Sequence, residues 1–109
     1  MVPSAKKYTL KFVTKEKFRE DIYNFYFSTI NDQLIIWLPG QYLQLSLPHD
    51  ADERGTSRFF TIASAPTEKK IMLTIKEGES SFKKVLFALT PGETVNAFGP
   101  MGKFVLDGD

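Results

Sequence analysis

The stretch DIYNFYFST, residues 21–29, is the clearest strand in the sequence. Tyr23, Phe25 and Phe27 occupy alternate positions, so they share one face while the residues between them share the other. A two-residue period of this kind is typical of a strand that turns one face toward a core. The stretch therefore predicts a sheet protein whose core contains this aromatic stripe.

Other segments on both sides of this strand repeat the alternating pattern. Turn residues such as Pro39-Gly40 separate them, and Trp37 is expected to lie in the core. EKFRED (16–21) is predicted to be a solvated turn. The further predicted strands are KKYTLKFV (6–13), QYLQLSLP (41–48), RFFTIAS (58–64), IMLTIKE (71–77), ETVNAF (93–98) and a short one in the closing GPMGKFVLDGD (99–109).

A helical period appears in the stretch SSFKKVLFAL, residues 80–89. Its apolar residues fall at i, i+3, i+4 and i+7, which places them on one stripe of a helix. Either Ser80 or Ser81 suits the N-cap position, and Pro91-Gly92 is expected to end the helix. About six strands at near-regular spacing, with one helix late in the chain, predict a single domain over residues 1–109 with an all-β fold: a six-stranded antiparallel Greek-key barrel with one capping α-helix.

The composition excludes several classes of function. A hydrophobic content of 42% and an aromatic content of 14% favour a packed globule over a disordered chain. The 14 basic and 13 acidic residues leave a net charge of +1, so the chain has no general attraction for nucleic acid or anionic lipid. Without cysteine there can be no disulfide, thiolate metal site or thiol nucleophile. No apolar run is long enough for a signal peptide or a membrane span, which favours a cytoplasmic protein.

A polar stretch, PHDADERGT at residues 48–56, contains the single histidine of the chain. His49 stands near Asp50, Asp52 and Glu53, but their spacing matches no established metal-ligand pattern. We therefore expect a solvated loop and no metal site.

The stretch SRFFTIASAP, residues 57–66, combines side chains that are unusual in one strand. Arg58 and Phe60 share one face, and Phe59 and Thr61 share the other. An arginine fork binds phosphate in a bidentate way, an aromatic ring offers a stacking surface, and a hydroxyl can donate a hydrogen bond. Together these groups suit a flat, phosphorylated cofactor.

A second candidate anion site lies at the predicted helix start, in KEGESS at residues 76–81. Gly78 followed by Ser80 and Ser81 would present unpaired backbone N–H groups and two hydroxyls. Taken alone, this pattern suits an ordinary capped helix better than a ligand site. Arg58 precedes it by one strand and one turn, however, so a compact barrel could bring both to one diphosphate.

Four segments, in this order, resemble the flavin-binding barrel of the ferredoxin–NADP reductase superfamily. LPGQYLQLSLP (38–48) resembles that family's proline-glycine-glutamine strand, and RFFT (58–61) resembles its arginine–any–tyrosine–serine/threonine motif. GESS (78–81) is similar to the glycine–x–x–serine helix start. TPGETVNAFGPMGKFVL (90–106) is similar to the proline-glycine turn and the glycine-proline–x–glycine close. Each match is weak by itself, but four in order make the resemblance specific.

The resemblance implies roles for the strand residues. Arg58 would pair with the FAD diphosphate, Phe60 would lie against the isoalloxazine, and Thr61 would hydrogen-bond near flavin N5. Phe59 is counted among the cofactor-contacting residues, although it and Ile62 are expected mainly to pack. Because Arg58 and Thr61 lie on opposite faces, the strand is expected to twist or bulge.

Phe60 departs from the family pattern, which usually has tyrosine at this position. The missing hydroxyl is expected to cost one hydrogen bond, worth about 1 kcal/mol of binding free energy. Such a loss would favour FMN or loosely bound, exchangeable FAD.

For the helix start, the resemblance implies that the hydroxyl of Ser81 and nearby backbone amides, with Ser80, hold the diphosphate. Gly78 would let the backbone approach the cofactor. Ile75 and Lys76 would pass the cofactor with main-chain groups.

The implied function is that of an FAD-binding module in an NAD(P)H-dependent oxidoreductase. The flavin would accept hydride from NAD(P)H and pass electrons to an iron–sulfur protein, a haem protein or a quinone, with no catalytic side chain needed in this chain. FAD is the expected cofactor, and FMN is less favoured. The family's NAD(P)-binding domain has no counterpart in these residues, so the chain is expected to be part of a two-domain reductase. The alternative is a non-catalytic barrel: a flavin barrel that no longer holds cofactor, or a binder of single-stranded nucleic acid, against which the balanced charge argues.

Overall fold

The computed structural model describes residues 5–30, 34–47, 57–64 and 70–102. Within them lie six strands and one helix, and each coincides with a predicted element. The all-β prediction is therefore confirmed. The elements are β1 (Lys6–Arg19), β2 (Ile22–Thr29), β3 (Tyr42–Ser46), β4 (Ser57–Thr61), β5 (Ile71–Lys76), α1 (Ser81–Phe87) and β6 (Thr94–Met101).

The six strands form one antiparallel sheet in the order β4-β3-β6-β1-β2-β5. Because β6 lies between β1 and β3, strands β2 and β3 are consecutive in the chain but distant in the sheet. This order is a Greek key, as the strand pattern predicts.

The sheet curls until its two edge strands, β4 and β5, meet at a bridge between Ile62 and Leu73. Beside this bridge, the Ala63 amide donates to the Met72 carbonyl over 2.7 Å. Elsewhere between β4 and β5, the described residues form no strand pairing, so the barrel is incompletely closed. We call this opening, between Ser57–Thr61 on one side and the residues after Leu73 on the other, the β4–β5 seam.

The core lies between the inner faces of the curled sheet. Phe25 and Phe27 are fully buried, and Phe12 packs against them with ring centroids 5.7 and 5.8 Å away. Trp37 is buried and Tyr23 packs at the border of the core, as predicted. Burial of each large apolar side chain contributes roughly 1.5–3 kcal/mol, so these rings account for much of the stability.

The first hairpin differs from the prediction, which placed a turn at residues 16–21. Strand β1 continues to Arg19, and the chain reverses only at Glu20 and Asp21, where Glu20 has a φ of 36°. The distal half of β1 pairs with β2 but is largely exposed, and after Val13 its one apolar residue, Phe18, is itself 56% exposed. Without apolar alternation, that part of the strand leaves no signal in the sequence.

Helix α1 spans Ser81–Phe87 and packs its apolar stripe against the sheet. Phe82 and Leu86 are fully buried. Of the two N-cap candidates, the structure selects Ser80, whose hydroxyl oxygen accepts a hydrogen bond from the Lys83 amide at 3.2 Å. The helix begins where the sequence predicts and ends slightly earlier.

Two predictions fall wholly or partly outside the described residues: the glycine-rich turn and short strand in GPMGKFVLDGD (99–109), of which residues 99–101 form the end of β6, and the loop at 48–56 with its acidic cluster near His49. Among the described residues, no cluster of His, Asp or Glu has a geometry suited to a metal ion. In the same part of the chain, no helix combines the length and the apolar character needed to cross a bilayer. The cytoplasmic location stays a prediction.

Candidate functional site

Strand β4 places the candidate residues at the edge of the sheet. Its pairing with β3 is unbroken from Ser57 to Thr61, so the expected bulge is absent from this strand. Regular alternation buries Arg58 and half-buries Phe60 on the inner face, while Phe59 and Thr61 are exposed on the outer face. Arg58 and Thr61 therefore point in opposite directions, and they share only the free edge of the strand.

The buried Arg58 side chain lies against helix α1. Its exposed fraction is 5%, and its guanidinium carbon lies 5.2 Å from the centroid of the Phe82 ring. One guanidinium nitrogen, Nη1, donates to the backbone carbonyl of Ser57 over 2.9 Å. A buried cation held over an aromatic face keeps a defined orientation, which suits it to bind an anion at the helix side of β4.

Phe60 packs beside the same helix residue. Its ring stacks on the ring of Phe82 with centroids 6.1 Å apart and an interplanar angle of 30°. The side chain is half-buried at the margin of the core. Phe60 therefore keeps part of its surface available for a planar ligand.

The structure contradicts the expectation that Phe59 mainly packs in the core. It is predicted mainly to pack, as Ile62 does, yet 58% of the Phe59 side chain is exposed while Ile62 is buried. Its ring meets the edge of Tyr42 on the outer face, with centroids 5.5 Å apart and an interplanar angle of 85°. Tyr42, Phe59 and Thr61 line an open cleft of about 350 Å³.

The backbone of β4 has groups that face the β4–β5 seam. The Ile62 amide donates toward β3, to the Gln41 carbonyl at 2.9 Å, and the next amide, of Ala63, donates toward β5. Successive residues of a strand point their backbone groups to opposite edges. The N–H and C=O groups of Phe59 and Thr61 are therefore directed into the seam.

The other side of the seam holds the remaining candidates. Ile75 is buried and pairs with Tyr23 of β2, whereas Lys76 is exposed. If the Ile62–Leu73 register is extended along the seam, Phe60 lies opposite Ile75. Arg58 then lies opposite the turn that precedes α1. The fold thus brings the predicted residues of β4 and β5 to one opening.

The turn before α1 differs in detail from the expectation. The Ser80 hydroxyl caps the helix, while Ser81 is the first helical residue. The side chain of Lys83 covers Gly78: a Cβ added there would lie 2.9 Å from Lys83 Cδ. Exposed Glu77 and Glu79 flank this glycine, so the turn combines both signs of charge.

Two residues near the site were not identified from the sequence, and a third, Gln41, was quoted only as part of the proline-glycine-glutamine segment. Phe82 looks like an ordinary member of a helical stripe, yet it contacts both Arg58 and Phe60. Tyr42 alternates like any strand residue, although it lines the outer cleft. Gln41 is 1% exposed, and a glutamine beside a Pro-Gly turn was the one signal that could have marked it as structurally important.

Comparison with known proteins identifies the family. Residues 9–106 match the family described as the oxidoreductase FAD-binding domain. Among solved structures, the chain is similar to a cytochrome P450 reductase (GcoB) from Amycolatopsis, with 21% sequence identity and a TM-score of 0.75. That match covers 94% of this chain and 30% of the reductase.

Two further structures share the fold. The cytochrome b5 reductase domain of Ulva prolifera nitrate reductase has 24% identity and a TM-score of 0.70, and the match covers 89% of this chain and 42% of that one. A ferredoxin-NADP+ reductase mutant from Plasmodium falciparum has 18% identity and a TM-score of 0.73, with 92% and 41% covered. The chain therefore spans less than half the length of each of these three structures. Since the family match extends over most of its residues, the chain belongs to the oxidoreductase FAD-binding domain family.

Proposed function

We propose that this domain holds FAD along the β4–β5 seam and serves as the flavin module of an NAD(P)H-dependent oxidoreductase. FAD, when bound, supplies the capacity to take up hydride from NAD(P)H and to pass electrons to an acceptor. The residues of this chain bind and orient the cofactor. One observation carries the proposal: the buried guanidinium of Arg58 lies 5.2 Å from the ring of Phe82, next to the start of α1.

Arg58 fits the part of a diphosphate clamp. Its burial reduces screening by water, and its planar fork can bind two phosphate oxygens at once. The turn that contains Gly78 and leads to Ser81 follows β5, on the opposite side of the seam. We infer that the diphosphate lies between Arg58 and this turn, where backbone N–H groups, the Ser81 hydroxyl and the nearby Lys83 ammonium add donors.

Phe60 and Thr61 fit the flavin itself. The half-buried ring of Phe60 offers a stacking surface, and the exposed Thr61 hydroxyl is available to donate near N5. The two side chains are on opposite faces of β4, so a cofactor can contact both only at the free edge of the strand. Backbone groups of Phe59 and Thr61 point to that edge, and those of Lys76 approach from β5, whereas the backbone groups of Ile75 point toward β2.

The rest of the reductase belongs to the same proposal. The similar solved structures are named as reductases and are more than twice as long as this chain. We therefore propose that the 1–109 domain works with an NAD(P)-binding domain and delivers electrons to an acceptor protein or quinone.

A titration of FAD, followed by flavin fluorescence and anisotropy, tests the proposal. We expect saturable binding, and we expect Arg58→Gln to weaken it roughly ten- to a hundredfold, because charge-assisted hydrogen bonds contribute about 1.5–3 kcal/mol. Arg19→Gln is the matched control. Arg19 also lies over an aromatic ring, 4.9 Å from the Phe18 centroid, but it is exposed at the end of β1.

If neither FAD nor FMN binds, the flavin proposal fails for this chain. The non-catalytic barrel then becomes the better account, and a salt-dependent gel shift with a labelled oligonucleotide would distinguish its nucleic-acid form. If both variants lose the same amount of FAD affinity, Arg58 is not part of the binding site.

A further inference from the structure

We propose that Phe82 is a positioning residue that holds Arg58 and Phe60 in one fixed arrangement, so that the diphosphate clamp and the flavin platform form together. The inference rests on the proposed function, because it assigns those parts to Arg58 and Phe60. It adds a residue of helix α1 that no sequence motif marks.

The ring of Phe82 contacts both Arg58 and Phe60. The guanidinium carbon of Arg58 lies 5.2 Å from the Phe82 centroid, and the Phe60 ring stacks on the same side chain at 6.1 Å. Both partners come from the inner face of β4, two residues apart. Phe82 therefore contacts the two inner-face side chains assigned to the cofactor.

The position of Phe82 is itself well determined. The side chain is fully buried, and Leu86, one turn later on α1, is fully buried as well. The hydroxyl of Ser80 caps the helix just before it. Close packing leaves such a ring few alternative rotamers, so on average it presents its neighbours with a well-defined surface.

Phe82 makes two kinds of contact, with a guanidinium and with a second ring, that an aliphatic side chain of similar size cannot make. A ring face attracts a guanidinium through its quadrupole and also stacks on another ring. Leucine would fill much of the same space without either preference. Replacing the ring should therefore loosen Arg58 and Phe60 together, even where the fold survives.

The test compares Phe82→Leu with Phe27→Leu, since both phenylalanines are fully buried but Phe27 packs against Phe12 and Phe25 in the core. The affinities of three ligands distinguish the diphosphate-binding part of the site from the flavin-binding part. FAD occupies both parts, ADP in competition with FAD measures the diphosphate arm, and riboflavin measures the ring arm. The visible circular dichroism of bound FAD reports on the orientation of the flavin.

We expect Phe82→Leu to weaken FAD binding about tenfold, to weaken both ADP and riboflavin, and to change the circular dichroism of the bound flavin. Phe27→Leu should lower the melting temperature and leave the affinities within about twofold. Equal affinities in the two variants, or a loss confined to one arm, would overturn the inference.

A second measurement needs no ligand, so it separates this inference from the proposed function. In a double-mutant cycle of Phe82→Leu and Arg58→Gln, urea unfolding should show coupling of about fivefold or more in the unfolding constant. Additive effects of the two substitutions on the unfolding constant would contradict the inference, whether or not the protein binds FAD. Coupling without FAD binding would contradict only the proposed function.

Discussion

The side chain of Gln41 joins two distant segments: its Nε2 donates to the carbonyl of Gly102 over 2.8 Å, and its Oε1 accepts from the amide of Leu38 over 2.9 Å. The backbone of Gln41 is also paired, with Leu38 and with Ile62. One buried residue thus connects the Pro-Gly turn, the end of β4 and the end of β6. The glutamine of the Pro-Gly-Gln segment is therefore a structural tie at one end of the seam.

Gln41→Ala should lower the free energy of unfolding by about 2–3 kcal/mol, because it removes two hydrogen bonds of a buried side chain and leaves half-buried backbone groups of Leu38 and Gly102 unpaired. Urea unfolding measures the loss. Gln44→Ala is the control: Gln44 is half-buried and bonds to the Ser57 hydroxyl at 2.7 Å, so less than about 1 kcal/mol should be lost. Similar losses in both variants would contradict the role of Gln41.

Phe60→Tyr should tighten FAD binding several-fold. The substitution adds the hydroxyl expected from the resemblance to the arginine–any–tyrosine motif, and one added hydrogen bond is worth about 1 kcal/mol. Isothermal titration with FAD provides the measurement. Phe18→Tyr adds the same atom at an exposed position in the distal half of β1 and should leave the affinity unchanged. An equal gain in the Phe18 variant would show that the effect does not depend on the position of Phe60.

Lys15→Met should destabilise the domain by about 0.5–1 kcal/mol. The Lys15 ammonium donates to the Phe87 carbonyl over 3.0 Å and so ties the distal part of β1 to the C-terminal end of α1. Because α1 also positions Phe82, the variant should weaken FAD binding slightly. Lys17→Met, at an exposed position of the same strand, should change neither quantity. Thermal melting and FAD titration of both variants check this.

Tyr8 should make the domain sensitive to alkaline pH. Burial raises the pKa of Tyr8 above its ordinary value of 10.0, since the phenolate is poorly solvated in the core. The unfolded chain therefore loses this proton at lower pH than the folded chain does. The stabilising contribution is complete below about pH 10 and disappears as the pH rises through the folded-state value.

Urea unfolding between pH 9 and about 11 measures this effect. The wild type should lose more stability over this range than Tyr8→Phe, which cannot ionise there. All other ionisable groups are the same in both proteins, so the difference between the two curves isolates Tyr8. Parallel curves would mean that the Tyr8 hydroxyl ionises equally well in the folded chain.

Much of the fold was predictable because its signals are local. The apolar stripe of β2 and the helical spacing of 80–89 depend only on which side chains face the core, and these elements lie where the sequence predicts. The distal half of β1 escaped prediction because it is exposed on both faces. Backbone hydrogen bonds to β2 hold it as a strand, and such bonds do not depend on the pattern of side chains.

For the candidate site, the sequence supplied a list of residues, which stays a prediction, but not their arrangement. The family resemblance pointed to Arg58, Phe60 and Thr61, and alternation correctly separated their faces. Neither could show that β4 ends the sheet beside an open seam, because an edge is a property of all six strands together. The part played by Phe82 was equally hidden, since it depends on where α1 packs.

By itself, the sequence determined the helix, the strands apart from the distal half of β1, and the residue types that β4 presents, because period and residue type act within a few residues of the chain. Only the tertiary structure decided which of two adjacent phenylalanines turns inward. Both faces of β4 have an aromatic residue, so alternation favours neither. The packing of Phe82 against Phe60 and Arg58 places these two on the inner face and leaves Phe59 exposed, because α1 covers one face of the strand and not the other.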